Sequence, residues 1–174
     1  MKVSIFLLFL FCSVNLIAQE RTPEQKLDEL GIELPEITPP VANYIDVVQS
    51  GNLLFLAGKG SRNENGTRIT GKVGVDLTIE EGYEAAKSIA LQHLAVIKKE
   101  IGDLSKVVRV VKVLGMVNTD SGFTQHSQVI NGYSDFMVEI FGEKGRHARS
   151  AVGMNSLPVN LAVEIEVIVE VEEN

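Results

Sequence analysis

The chain has 174 residues, with 23 acidic against 16 basic side chains and a formal net charge of −7. That length fits one domain of the usual size of about 100–200 residues, and the acidic balance argues against holding a polyanion such as RNA through bulk electrostatics. A single cysteine, Cys12, excludes an intrachain disulfide framework and a multi-cysteine zinc site.

Lys2 precedes an apolar run from Ile5 to Phe11, and Leu16-Ile17-Ala18 closes the stretch, the pattern of a secretory signal peptide with cleavage expected after Ala18. The alternative is an uncleaved membrane anchor, but a spanning helix wants about 20 apolar residues. Ser13 and Asn15 interrupt this run, so no stable anchor is expected. Phe9-Leu10-Phe11 ahead of Cys12 lacks the small residue of a lipoprotein signal. Cleavage removes both Cys12 and Lys2, leaving a cysteine-free mature chain with no cysteine nucleophile and a net charge of −7 − 1 = −8. The expectation is a periplasmic or secreted protein.

Residues 19–40 read as an N-terminal extension. Thr22-Pro23-Glu24-Gln25 is a capping box with proline at the first helical position, and Gly31 can end the short helix. Pro35, Pro39 and Pro40 mark the boundary to a main domain over residues 41–174. There, Tyr44 to Val48 and Leu53 to Ala57 flank Ser50-Gly51-Asn52 as a β-hairpin, and Gly58-Lys59-Gly60 follows. GKGS lacks the spacing of a phosphate-binding loop, so no nucleotide cofactor is expected. Thr78 and Glu81 form a second capping box, opening a helix whose apolar side chains recur at three- or four-residue intervals from Ile79 to Ile101, with Gly102 as its end.

Val107 to Val117 is apolar on both parities, as in a central strand covered on both faces. Phe123, Val129, Ile130, Tyr133, Phe136, Met137, Ile140 and Phe141 predict a second helix, with Gly132 in its middle. Ala151 to Met154 and Leu161 to Val171 read as two further strands, which the turn residues Asn155, Ser156 and Pro158 could fold together. The last alternates with period two, placing Glu164, Glu166 and Glu170 on one face and valine, leucine and isoleucine on the other. The order of elements is α+β. His93, His126 and His147 have no metal-ligand spacing, so no metal site is expected, and His93 reads as a packing residue.

Arg149-Ser150-x-Val152, Leu157-Pro158 and Val163-Glu164-Ile165-Glu166, at their mutual spacing, resemble the C-terminal signature of the Rid family of reactive intermediate deaminases, also called YjgF-like or endoribonuclease L-PSP-like proteins. Asn43-Tyr44, LLFLAGKG and VVRVVKVLGMVN extend the resemblance over roughly Pro39 to Glu172. GRHARSAVG and VINGxSD resemble the less studied endoribonuclease L-PSP/chorismate mutase-like branch. The resemblance implies a chorismate mutase-like fold, a mixed β-sheet with two helices packed on one face, assembled as a trimer. It also implies a small carboxylate as ligand, gripped by Arg149, with Glu164 holding or activating water for attack on an imine carbon and Tyr44 lining the pocket. Pattern alone reads Arg149 as a structural ion pair or solvated residue. Against the better-known deaminases, Ala57 stands for a serine before Gly58, Ala151 for a cysteine, Lys59 for a glutamine and Ile130 for an asparagine, with Asn131 one residue out of register. The expected site gathers Tyr44, Ala57, Gly58, Lys59, Arg149, Ala151 and Glu164 at a subunit boundary. Imine hydrolysis to a 2-keto acid and ammonia, passive carboxylate binding and RNA cleavage are the functions the resemblance offers, and the acidic composition sets RNA cleavage well behind.

Overall fold

The computed structural model describes residues 21–37 and 42–173, so the expected signal peptide and the Pro39-Pro40 boundary lie outside the described residues. Thr22 caps α1 (Pro23–Glu29) with its reciprocal Gln25 bond, and Leu27 reaches the main core. β1 (Val47–Ser50) and β2 (Leu53–Gly60) form the hairpin. Ser50 pairs with Leu53, leaving Gly51-Asn52 as a two-residue turn in which Gly51 has φ 59°, a left-handed conformation suited to glycine. The Thr78–Glu81 box opens α2 (Ile79–Ile101), and Gly102 closes it with φ 82°.

β3 (Val107–Asn118), α3 (His126–Phe141), β4 (Ala148–Met154) and β5 (Val163–Val171) complete a five-stranded mixed sheet of order β1-β2-β5-β3-β4. β4 and β5 do not pair with each other, contrary to the sequence expectation. The α3 crossover returns the chain parallel to β3, with Lys112 opposite Ala148 and Asn118 opposite Met154. β5 then enters the slot between β2 and β3, antiparallel to both. A strand with one fully apolar face suits that central slot, where its backbone donors and acceptors are paired on both edges. The turn signals between β4 and β5 mark a reversal of direction, but they carry no information about which strand is the neighbour.

Both long helices pack on the face formed by Leu54, Leu56, Val110, Val113, Val117 and the odd positions of β5. They approach so closely that a Cβ on Gly132 would lie 2.0 Å from the backbone oxygen of Tyr83, which is why α3 runs unbroken through a glycine. Among the described residues nothing covers the opposite face. Val48 and Phe55 are 52% and 42% exposed there. With Ile45, Leu114 and Ile168 they line a depression of 340 Å³, to which Lys112 and Glu166 add the charges. The helices thus cover β3 on one side, the side of Val110, Val113 and Val117.

Candidate functional site

Two groups of expected site residues occur, one on each face of the sheet. Glu164 stands on the uncovered face, beside Glu166 and opposite Met116 of β3 and Gly60 of β2. β2 carries a bulge between Leu56, opposite Val167, and Lys59, opposite Ile165. The inserted residue turns Gly58 toward Glu164: a Cβ on Gly58 would lie 2.5 Å from the glutamate Oε1. Only glycine leaves that space open. Partial burial, and then the neighbouring Glu166 charge, raise the Glu164 carboxyl above the ordinary glutamate range. Ala57, also in the bulge, lines the depression on the same face.

Arg149 belongs to the other face. It pairs in register with Val113, and the helix-covered side of β4 brings it under α3. There, Arg149 NH1 donates to Asn131 Oδ1 at 2.9 Å and to Ser134 Oγ at 3.0 Å. Among the described residues no carboxylate lies within 4.0 Å of this guanidinium, so the structural ion pair suggested by the glutamates of β5 is absent. Both bonds occupy the same terminal nitrogen, which leaves the edge formed by Nε and NH2 with its donors in parallel, the geometry that meets a carboxylate two-pronged. Ala151 follows on the same side, half-buried against the core.

Arg149 and Glu164 are thus separated by one intervening strand, three residues of register and the thickness of the sheet. At the usual strand spacing and rise their backbones are roughly 14 Å apart. The expected convergence of Tyr44, Lys59, Arg149 and Glu164 does not occur within one chain. Tyr44 is 56% exposed just ahead of β1. Lys59 forms an ion pair with Asp46, both side chains largely buried, so its ammonium is already compensated and adds no free charge to either group. Asn131 and Ser134 were not among the expected site residues. Their signal was faint, two small polar residues three apart among the buried apolar positions of α3, where the i, i+3 spacing puts both on the face that meets β4.

His93 is fully buried, with Nδ1 2.9 Å from Tyr133 OH and Nε2 3.4 Å from Ala57 O. Tyrosine O–H donates to Nδ1, Nε2–H donates to the carbonyl, and a neutral ring satisfies all three groups. Burial depresses the imidazole pKa to about 3.

The sequence matches the YjgF/chorismate mutase-like, putative endoribonuclease family over residues 24–171. The chain belongs to this family. The match begins within α1, so the family's span takes in the N-terminal helix. Protein TCP17 of Trypanosoma cruzi is 44% identical over 145 residues, covering 83% of this chain and 91% of that protein. A 2-iminobutanoate/2-iminopropanoate deaminase of Dermatophagoides farinae is 29% identical, over 81% and 95% of the two chains. Among solved structures, a protein of unknown function from Agrobacterium tumefaciens superposes with a TM-score of 0.79 at 42% identity, covering 87% of this chain and 94% of the other. A putative endoribonuclease from Shewanella oneidensis MR-1 superposes with a TM-score of 0.83 at 30% identity, covering 87% and 100%.

Proposed function

We propose that this YjgF-family protein is an exported oligomer, a trimer, that binds a small 2-imino or enamino acid at junctions between its copies and hydrolyses it to the 2-keto acid and ammonia. The observation that carries the reading is the uncompensated Arg149 guanidinium, held at NH1 by two neutral acceptors with a bidentate edge to spare. Such an edge recognises a carboxylate. Glu164 supplies the other half. With the imine bound in its protonated form, the Glu164 carboxylate takes a proton from water as the oxygen attacks the imine carbon. It returns that proton to the carbinolamine nitrogen, then takes the hydroxyl proton as the carbon–nitrogen bond breaks, the keto group forms and ammonia leaves, and finally passes it to the ammonia. The missing side chain at Gly58 lets Oε1 approach the β2 backbone, which fixes the carboxylate's position. The name of the mite relative supports this chemistry.

Since Arg149 and Glu164 lie on opposite faces, a single small molecule bridges them only where one copy's Arg149 side meets another copy's Glu164 side. The exposed apolar surface around Phe55, Val48 and Leu114 supports burial against a second copy. Light scattering at micromolar concentration should give three times the chain mass, and a monomer would sink the junction reading.

Replacing Arg149 by Lys keeps the charge and loses the two-pronged geometry. Calorimetric titration with pyruvate should show affinity weakened by about 1–3 kcal/mol. An unchanged affinity would make Arg149 a residue of the fold alone. The export part of the proposal rests on the Lys2 and Ile5–Ala18 pattern. Intact-mass measurement of the protein recovered outside the cytoplasm should find Met1 to Ala18 missing, whereas an unprocessed cytoplasmic chain would overturn it.

A further inference from the structure

Arg149 is held by more than its two direct partners. His147, two residues earlier, is half-buried, with its Nδ1 2.7 Å from Gly145 O and its Nε2 3.0 Å from Ser134 Oγ, the hydroxyl that accepts from Arg149 at 3.0 Å. The proton positions follow by elimination. A guanidinium only donates, so Ser134 Oγ accepts from Arg149, and the Gly145 carbonyl only accepts, so His147 Nδ1 carries a hydrogen. In the neutral ring Nε2 is then bare and takes the Ser134 proton. Burial, opposed by the Gly145 bond and reinforced by the Arg149 charge, keeps the imidazole below its ordinary range and therefore in this neutral form. Tyr133 meets the ring edge-on at 6.4 Å between centroids and limits its tilt.

We infer that His147 is a positioning residue for carboxylate recognition: it fixes the Ser134 hydroxyl rotor, so that the serine's lone pairs face Arg149 NH1 and the Nε/NH2 edge is aimed outward. This rests on the reading of Arg149 as the carboxylate grip. Without a bare nitrogen at Nε2, the hydroxyl proton has no fixed acceptor and can turn toward the guanidinium, which loosens one of its two anchors. The chain Gly145 O, His147, Ser134, Arg149 joins the loop before β4 to α3 and back to β4, so the grip is aligned by the same crossover that makes β4 parallel to β3.

The test uses the full chain with pyruvate as probe and the Arg149 Nε–H resonance as a readout that needs no ligand. His147→Phe keeps an aromatic ring of comparable size and removes the acceptor, and Ser134→Ala removes the rotor. Both should weaken pyruvate binding by about three- to tenfold, the range of one hydrogen bond, and should speed exchange of the Nε–H proton. His147→Gln, which can again offer an acceptor to Ser134, should recover most of both. If His147→Phe lowers only the melting temperature, leaving pyruvate affinity and the Nε–H signal as in the parent protein, His147 is a packing residue and the inference is wrong. If His147→Phe does not fold, an unchanged Nε–H signal in Ser134→Ala overturns it equally. If the parent protein itself fails to bind pyruvate, the carboxylate reading is what has failed, and the Nε–H exchange rates still decide the role of His147.

Discussion

Glu164→Gln should lower ammonia release from a 2-imino acid by roughly 10²–10⁴-fold, the usual contribution of a positioned acid–base group, while pyruvate binding stays close to that of the parent protein. The amide matches the carboxylate in shape but cannot take a proton from water. Arg149, on the other face of the sheet, is untouched by the change. The assay would generate the imine in place with an amino acid oxidase and follow ammonia. Because burial and Glu166 raise the Glu164 carboxyl, the acid limb of the parent's rate profile should lie above the ordinary glutamate range, with activity falling as pH drops and Glu164 protonates. A parent protein that binds pyruvate but releases no ammonia above the spontaneous rate would be a passive binder. Turnover surviving in Glu164→Gln would move the base elsewhere.

Acidification should destabilise the fold through His93 by on the order of 4–5 kcal/mol over the full span from pH 6.5 to 3. The folded imidazole pKa is depressed to about 3 by burial, whereas in the unfolded chain it is free to take up a proton near the ordinary value of 6.5. The sign follows from proton counts. Between these values the unfolded state binds the extra proton, so the stabilising contribution is complete above 6.5 and is lost as pH falls toward 3. At pH 4.5 the loss from this group alone is about 2–3 kcal/mol. Urea unfolding at pH 7 and pH 4.5 measures it, and His93→Gln, which does not titrate, should have a shallower pH slope than the parent. Equal slopes would show that His93 is not the group responsible.

The helices were legible because their signals are local. Two capping boxes and a 3.6-residue apolar period place α1 and α2 with their ends, and the alternation from Leu161 to Val171 shows which face of β5 is buried. Strand order was not legible. Period two says which side of a strand is apolar and nothing about its neighbour, so β4 and β5 looked like a hairpin when β3 lies between them. The site shows the same division. Arg149 and Glu164 stand out from their motif, but their assignment to opposite faces depends on the parallel entry of β4. The neutral holders of Arg149, and the Asp46 partner that occupies Lys59, are contacts across 13 or more residues that no short spacing encodes.

The placement of Arg149 and Glu164 on opposite faces also bears on inheritance. In the proposed ring each chain lends its arginine to one junction and its glutamate to another, so a chain lacking both disables two sites, not one. Two differently damaged alleles can then repair each other. A chain without the arginine and a chain without the glutamate, assembled together, form one intact junction from their undamaged halves. A cell carrying both would regain activity that neither allele supports alone.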